Sequence, residues 1–453
     1  MNIKYLYVSF VAVIVILAAC LVTSCDEMFN AEKGVEYDPS KPVVLSSFFP
    51  DSGRIRTRVI IQGDNFGSDP SKIKVYFNQR EAAVVGSDGS QMFVIVPRVA
   101  EDIMCDVSVV VGGDSVVFQK QFSYNVTVTV STVVGNGTQT NRMGPLESAL
   151  IAPFQMDVDG EGNIFVGVES GFEFGSNEVG FVRINETENV MELIQNMGWI
   201  SGDGYGPRFE GITADKRTGM LYTSIRQNTQ SFVTIDPADG WIPRSKLFRW
   251  VDNPNFPVTN YPPSGGNYMG YNQFDGFLYT HYGNGQVARI DPNTAEGMII
   301  GIIPSGTSIG IDFDPNNPEM CYIAGYNGAV QFGIYRFNVN DPTNTWERLN
   351  TALGSGYRDG PIHQALFGRP YGLRFDPDGI MYISDLDNHC IRKYNPATER
   401  VELVLGIPGE IGFKDGGREE ALFNNPSAVG IDVDGNVYVV DRRNRRIRKL
   451  AIE

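Results

Sequence analysis

One phrase occurs twice near the C-terminal end, and it limits what the chain can fold into. Residues 369–394 read Arg-Pro-Tyr-Gly-Leu-Arg-Phe-Asp-Pro-Asp-Gly-Ile-Met-Tyr-Ile-Ser-Asp-Leu-Asp-Asn-His-Cys-Ile-Arg-Lys-Tyr, and residues 425–450 repeat the pattern. In the second copy three short strands can be read: Ala428 to Asp432, Val437 to Val440 and Arg446 to Leu450. Asp434-Gly435 has the composition of a tight hairpin turn between the first two. Pro370 and Pro426 stand 56 residues apart. A repeat of that length, built from short strands, reads as one blade of a propeller.

The two copies closely match the pattern P-x-G-(I/L)-x-x-D-x-x-G-x-(I/V)-Y-(I/V)-x-D-x-x-N-x-x-I-R-K. It resembles the NHL repeat family, which implies a propeller. Six blade starts can be counted, near Phe154, Glu210, Asn267, Ser308, Tyr371 and Ser427. Each is followed by a second strand with a central aromatic: Phe165, Tyr222, Tyr279, Tyr322, Tyr382 and Tyr438. A residue that recurs in every blade is doing packing, so these six are assigned to the core. A Gly-rich phrase with Ala and Phe precedes three of the blades, as in the family's inter-blade connection. The middle three blades depart from the pattern. The last repeat stops after three strands, and 125–135 reads as an alternating strand. Thr129 to Val134 is therefore expected to pair with Arg446 to Leu450, closing the ring with no open edge.

Ahead of the repeats, 42–124 contains about seven short strands, which indicates a β-sandwich. Its wording, P-x-x-x-S-x-x-P-x-S-G, then I-x-G-x-N-F-G, then V-x-F, V-P and F-x-Y, resembles the IPT/TIG immunoglobulin-like family. Asn65 and Gly67 suit a turn with positive φ, and Phe66 can plug the sandwich end. One strand is expected over Val117 to Phe122. The resemblance implies a spacer or docking module. The expected fold class is all-β: an N-terminal immunoglobulin-like sandwich (42–124) and a C-terminal six-bladed propeller (125–453).

The first residues read as an address. Lys4 precedes an apolar run from Val8 to Ala19, short against the roughly 20 residues a membrane span needs. Two lipobox-like sequences follow, ending at Cys20 and Cys25. Cys25 is preferred, because Asp26 and Glu27 come next, as in lipoproteins that Bacteroides-like bacteria export. Residues 1–24 are then a signal peptide and 25–41 a flexible tether, and the protein is expected at the outer membrane, lipid-anchored and facing outward. Cys105, Cys321 and Cys390 remain, each in an apolar strand pattern, and read as core. A formal charge of -16 disfavours nucleic acid and anionic lipid as partners.

Little in the sequence points to catalysis. There is no Gly-x-Ser-x-Gly elbow and no P-loop. His281, His363 and His389 are the three histidines, each explicable as a loop or hydrogen-bonding residue. No cofactor is implied. A calcium ringed by oxygen ligands in the central channel is compatible with a propeller, but no Asp-x-Asp-x-Asp-Gly loop accompanies it. Aromatics in the loops of one face are more suggestive. Phe172, Phe174, Trp199, Tyr205, Trp250, Tyr261, Tyr268, Tyr282, Tyr326 and Tyr357 lie beside Asn, Asp and Gln. Flat rings pack on sugar CH groups while amides bond hydroxyls. The expectation is a non-catalytic surface protein that binds carbohydrate or a partner protein. The alternative is a hydrolase or lyase using Glu169, Asp385 and Asp441 at the ends of second strands.

Overall fold

The computed structural model describes residues 35–99, 103–168, 180–196, 209–225, 228–256, 268–325, 327–352 and 354–452. The chain is nearly all β. It divides into two compact units, one ending at Val126 and the other running Thr127–Ile452.

The first unit is an immunoglobulin-like sandwich. Seven strands pair in the order Val44–Phe49, Arg58–Asp64, Gln91–Ile95, Arg80–Ser87, Ile73–Phe77, Val107–Val111 and Asp114–Val117. Three shorter strands, Ser52–Gly53, Phe122–Tyr124 and Ile103–Cys105, form a second sheet. Burial alternates along Arg58–Asp64 and Val107–Val111, because successive side chains of a strand point to opposite faces. The inward set includes Val59, Ile61, Val75, Phe77, Met92 and Val109. Phe77 meets Phe122 edge to face at 5.1 Å. Phe66 is buried between Asn65 and Gly67, both at positive φ, as the turn chemistry requires.

Two expectations are corrected in this unit. Val117 to Phe122 is not one strand: the chain turns after Val117 and resumes at Phe122. The turn buries Phe118 against Phe48 at 4.9 Å. The end of the supposed tether, residues 35–41, is also held in place. Asn65 Nδ2 donates to the carbonyls of Asp38 and Lys41 at 3.0 and 2.7 Å, and its Oδ1 accepts from the Asp38 amide at 2.9 Å.

Among its described residues the second unit holds six sheets, each built on an antiparallel meander. The inner strands are Pro153–Val158, Phe209–Ala214, Met269–Tyr271, Ser308–Asp314, Pro370–Phe375 and Pro426–Ile431. Each lies against the inner strand of the next sheet, and the sixth lies against the first. Such close approach needs small residues. A Cβ on Gly310 would sit 2.8 Å from the Leu373 amide nitrogen, and one on Gly372 would sit 2.8 Å from the Ala428 Cα.

Aromatics fill the seams between sheets. Tyr222 stacks on Tyr271 at 5.2 Å, Tyr279 meets Phe313 at 5.1 Å and Tyr322 meets Phe375 at 5.0 Å. All six recurring second-strand aromatics are buried. So are Cys105, Cys321 and Cys390, all free thiols.

The sixth sheet is completed from the other end of the unit. Val128–Val134 pairs antiparallel with Arg446–Ile452, with Val130 opposite Leu450 and Ser131 opposite Lys449. The closing strand also pairs with Gly416–Gly417.

Candidate functional site

The second strand of sheet five ends at Asp385 and that of sheet six at Asp441. Each carboxylate is surrounded by donors. Asp441 Oδ1 accepts from the Asn424 amide at 2.8 Å, and Oδ2 accepts from Asn444 Nδ2 at 2.8 Å and Arg448 Nη1 at 2.7 Å. Arg448 donates onward to Asp415 and to the carbonyls of Lys414 and Leu422. Sheet five repeats the arrangement. Asp385 accepts from the Gly368 and Arg369 amides, Asn388 and Arg392, and Arg392 reaches Asp359. The spacing D-x-x-N-x-x-x-R is therefore a latch that binds the turn after strand two to the connection that precedes the sheet.

Burial lifts the Asp441 carboxyl to about 6, with Arg448 pulling it back down. Asp385 is raised for the same reason. Two of the three carboxylates expected for an enzyme are thus committed to structure, and Glu169 lies outside the described residues.

The latches frame a cleft between sheets five and six of about 330 Å³. Arg369, Arg442, Arg443 and Arg445 line it, with Asp387 and Asn425. Arg369 pairs with Asp387 at 3.0 Å, and the Arg442 guanidinium lies over the Phe154 ring at 4.6 Å. His389, beside the cleft, accepts the Asn425 amide at Nδ1, 3.0 Å away. Burial and the nearby Arg443 lower its pKa, against the pull of Asp387.

Deeper between the inner strands, Arg374 ties four sheets together. It reaches from sheet five to Asp157 in sheet one at 3.3 and 3.4 Å. It also donates to the carbonyls of Ile212 in sheet two at 2.8 Å and Ile311 in sheet four at 3.4 Å. Asp312 accepts from the Phe375 amide, and its pKa is raised by burial despite the nearby guanidinium. These inner-strand carboxylates, Asp157 and Asp312, thus face an arginine. Among the described residues no group of three or more His, Cys, Asp or Glu is placed to share a metal.

Of the aromatics singled out from the sequence, four fall among the described residues: Trp250, Tyr268, Tyr282 and Tyr357. Phe172, Phe174, Trp199, Tyr205, Tyr261 and Tyr326 lie outside the described residues, as do Cys20 and Cys25. Tyr268 and Tyr282 are buried, the first in the core shared by sheets three, four and five and the second in a separate cluster with Trp250. Both are packing residues rather than ligand platforms. Trp250 is half-buried on the outer edge of sheet three, 6.2 Å from Tyr282. Tyr357 is the most open of the four described, 37 % exposed, stacked on Arg392 at 4.6 Å with its hydroxyl on Asp359.

The three histidines do not converge. His281 is enclosed in sheet three, bonded to Ser308 and the Pro304 carbonyl, while His363 is exposed beside Gln364. Sequence reasoning passed over the arginine cleft. Its signal was the run Arg442-Arg-Asn-Arg-Arg446 inside an acidic chain.

A membrane-crossing helix, long and apolar enough to span, is not found among the described residues. The chain is similar to a solved Bacteroides thetaiotaomicron protein of unknown function, with a TM-score of 0.75 and 24 % identity over 92 % of this chain and all of that one. It also resembles an auxiliary nutrient binding protein of the same organism, with a TM-score of 0.56 and 23 % identity over 92 % and 99 % of the two chains. In sequence, 188 residues are 30 % identical to the Arabidopsis thaliana chloroplastic protein SUPPRESSOR OF QUENCHING 1, covering 40 % of this chain and 17 % of that protein. The chain thus spans about a sixth of that relative's length. Residues 42–140 match the family described as the IPT/TIG domain.

Proposed function

We propose that the protein is a non-catalytic, lipid-anchored cell-surface protein that captures a glycan or a partner protein beside a nutrient-uptake complex. In this reading the six sheets are the blades of an NHL-type propeller closed by Val128–Val134, 42–124 is a spacer or docking module, and the lipid is carried by Cys25. The observation that carries the reading is the pairing of an open cleft with spent carboxylates. Asp385 and Asp441 are consumed by their latches, while a cleft of about 330 Å³ stays open beside them. Ligand sites are concave, with a few placed polar groups. The likeness to an auxiliary nutrient binding protein supports the accessory role by fold-level analogy.

Affinity electrophoresis of the intact chain through gels containing a panel of polysaccharides tests it. Retardation by at least one polysaccharide is expected. A folded chain retarded by none would shift the reading to protein docking.

A further inference from the structure

We propose that the cleft between sheets five and six binds the carboxylate or sulfate group of an acidic sugar. This rests on the reading that this part of the second unit captures a glycan.

The first observation is charge. The chain carries a formal charge of -16, yet four arginines line this one cleft with a single carboxylate, Asp387, among them. Guanidinium groups gathered in one concavity repel one another and focus a positive potential on what enters. Arg443 is exposed, and its side chain makes no hydrogen bond or ion pair among the described residues. It is available to a ligand.

The second observation is rigidity. The arginines sit on backbone that the latches immobilise. The Arg369 amide donates to Asp385 at 2.9 Å. The turn Arg442–Asn444 follows Asp441, is tied to it through Asn444, and closes with Arg445 at a φ of 53°. The Arg443 amide is held by the Asn424 carbonyl at 3.1 Å. Fixed backbone leaves only side-chain freedom to be lost on binding, and a guanidinium's planar fork matches a carboxylate or sulfate with two parallel hydrogen bonds.

The third is size and floor. A volume of about 330 Å³ is at the small end of ligand clefts. Tyr371 and Leu386 complete the floor but are almost fully buried, so the walls that a ligand meets are chiefly the polar ends of the arginines, Asp387 and Asn425.

Saturation-transfer NMR on the intact chain tests this with glucuronate, glucose 6-sulfate, glucose and inorganic sulfate. Transfer to the two anionic sugars and little to glucose is expected. Arg443→Glu should weaken anionic-sugar binding about tenfold or more, since it replaces an attractive charge with a repulsive one, and unchanged circular dichroism should show the variant folded. Equal transfer to glucose, or an undiminished signal in Arg443→Glu, would overturn the proposal. Inorganic sulfate competing as well as glucose 6-sulfate would overturn its sugar part. The polysaccharide gels separate the two readings. Retardation on neutral polymer without anionic transfer keeps glycan capture and removes this site. Anionic transfer without retardation keeps the site and removes capture of long glycans.

Discussion

Arg448 donates to Asp441 at 2.7 Å with both side chains fully enclosed, and Arg392 and Asp385 repeat the pair one sheet earlier at 3.1 Å. An ion pair withdrawn from water gains little net stability over an apolar pair of the same shape, but losing one partner strands a buried charge. Asp441→Ala should therefore destabilise the second unit by about 3–5 kcal/mol in urea unfolding. Asp441→Leu with Arg448→Met should recover much of that loss. Single and double variants of equal stability would show that the pair is not the latch described here.

The closing strand makes a covalent test available. Ser131 lies directly opposite Lys449, 318 positions further along the chain. Facing Cα atoms in antiparallel strands lie within disulfide reach. Ser131→Cys with Lys449→Cys should oxidise readily and raise stability by about 2–4 kcal/mol, because the bridge restrains so long a loop in the unfolded chain. Mass spectrometry of a tryptic digest should find the two peptides joined. Free thiols after oxidation would mean that the strand pairs elsewhere.

His281 should make stability depend on pH. Its Nε2 donates to the Pro304 carbonyl at 3.1 Å, and Nδ1 accepts from the Ser308 hydroxyl at 3.0 Å, an arrangement suited to the neutral ring. Burial lowers its pKa to about 4, against roughly 6.5 in the unfolded chain. The unfolded state therefore takes up the proton first as pH falls. The contribution is complete above pH 6.5 and is lost between 6.5 and 4, by on the order of 3 kcal/mol. The urea stability gap between the natural chain and His281→Gln should narrow by that amount from pH 7 to pH 4. A constant gap would show that the ring is not held neutral.

How much of this was readable from the sequence depends on how local each signal is. The sixth-sheet closure was legible because the last repeat shows three strands and an alternating segment waits just ahead of the first repeat. Phe165, Tyr222 and their four counterparts were legible as core because they recur at one register. Tyr268 and Tyr282 read as exposed because they sit in irregular connections, yet each falls beside a strand end and packs beneath it. The arginine cleft joins Arg369 to a turn more than 70 residues later, a pairing that only the seam between two sheets creates. The latch hid in plain view. The Asp, Asn and Arg of the repeated phrase stand in plain sequence, but that they bond to one another, and the Arg onward to Asp359 or Asp415, is a property of the folded sheet and its connection.

Arg374 offers the sharpest test of how the six inner strands cohere. Its guanidinium bonds across to Asp157 and to the Ile212 carbonyl, so sheets one, two and five share one charge. Arg374→Met would leave Asp157 enclosed with only the Val158 and Ala214 amides as partners. A cost of about 3–5 kcal/mol is expected, the amount typical of an uncompensated buried charge. Asp157→Asn alone also weakens the contact, and its single carbonyl oxygen keeps an acceptor for one of those two amides. Because the two residues share the contact, their effects should not add. A double-mutant cycle should give a coupling of about 1–3 kcal/mol. Additivity within about 0.5 kcal/mol would mean that the contact carries no energy of its own and that neighbouring seams hold the sheets together without it.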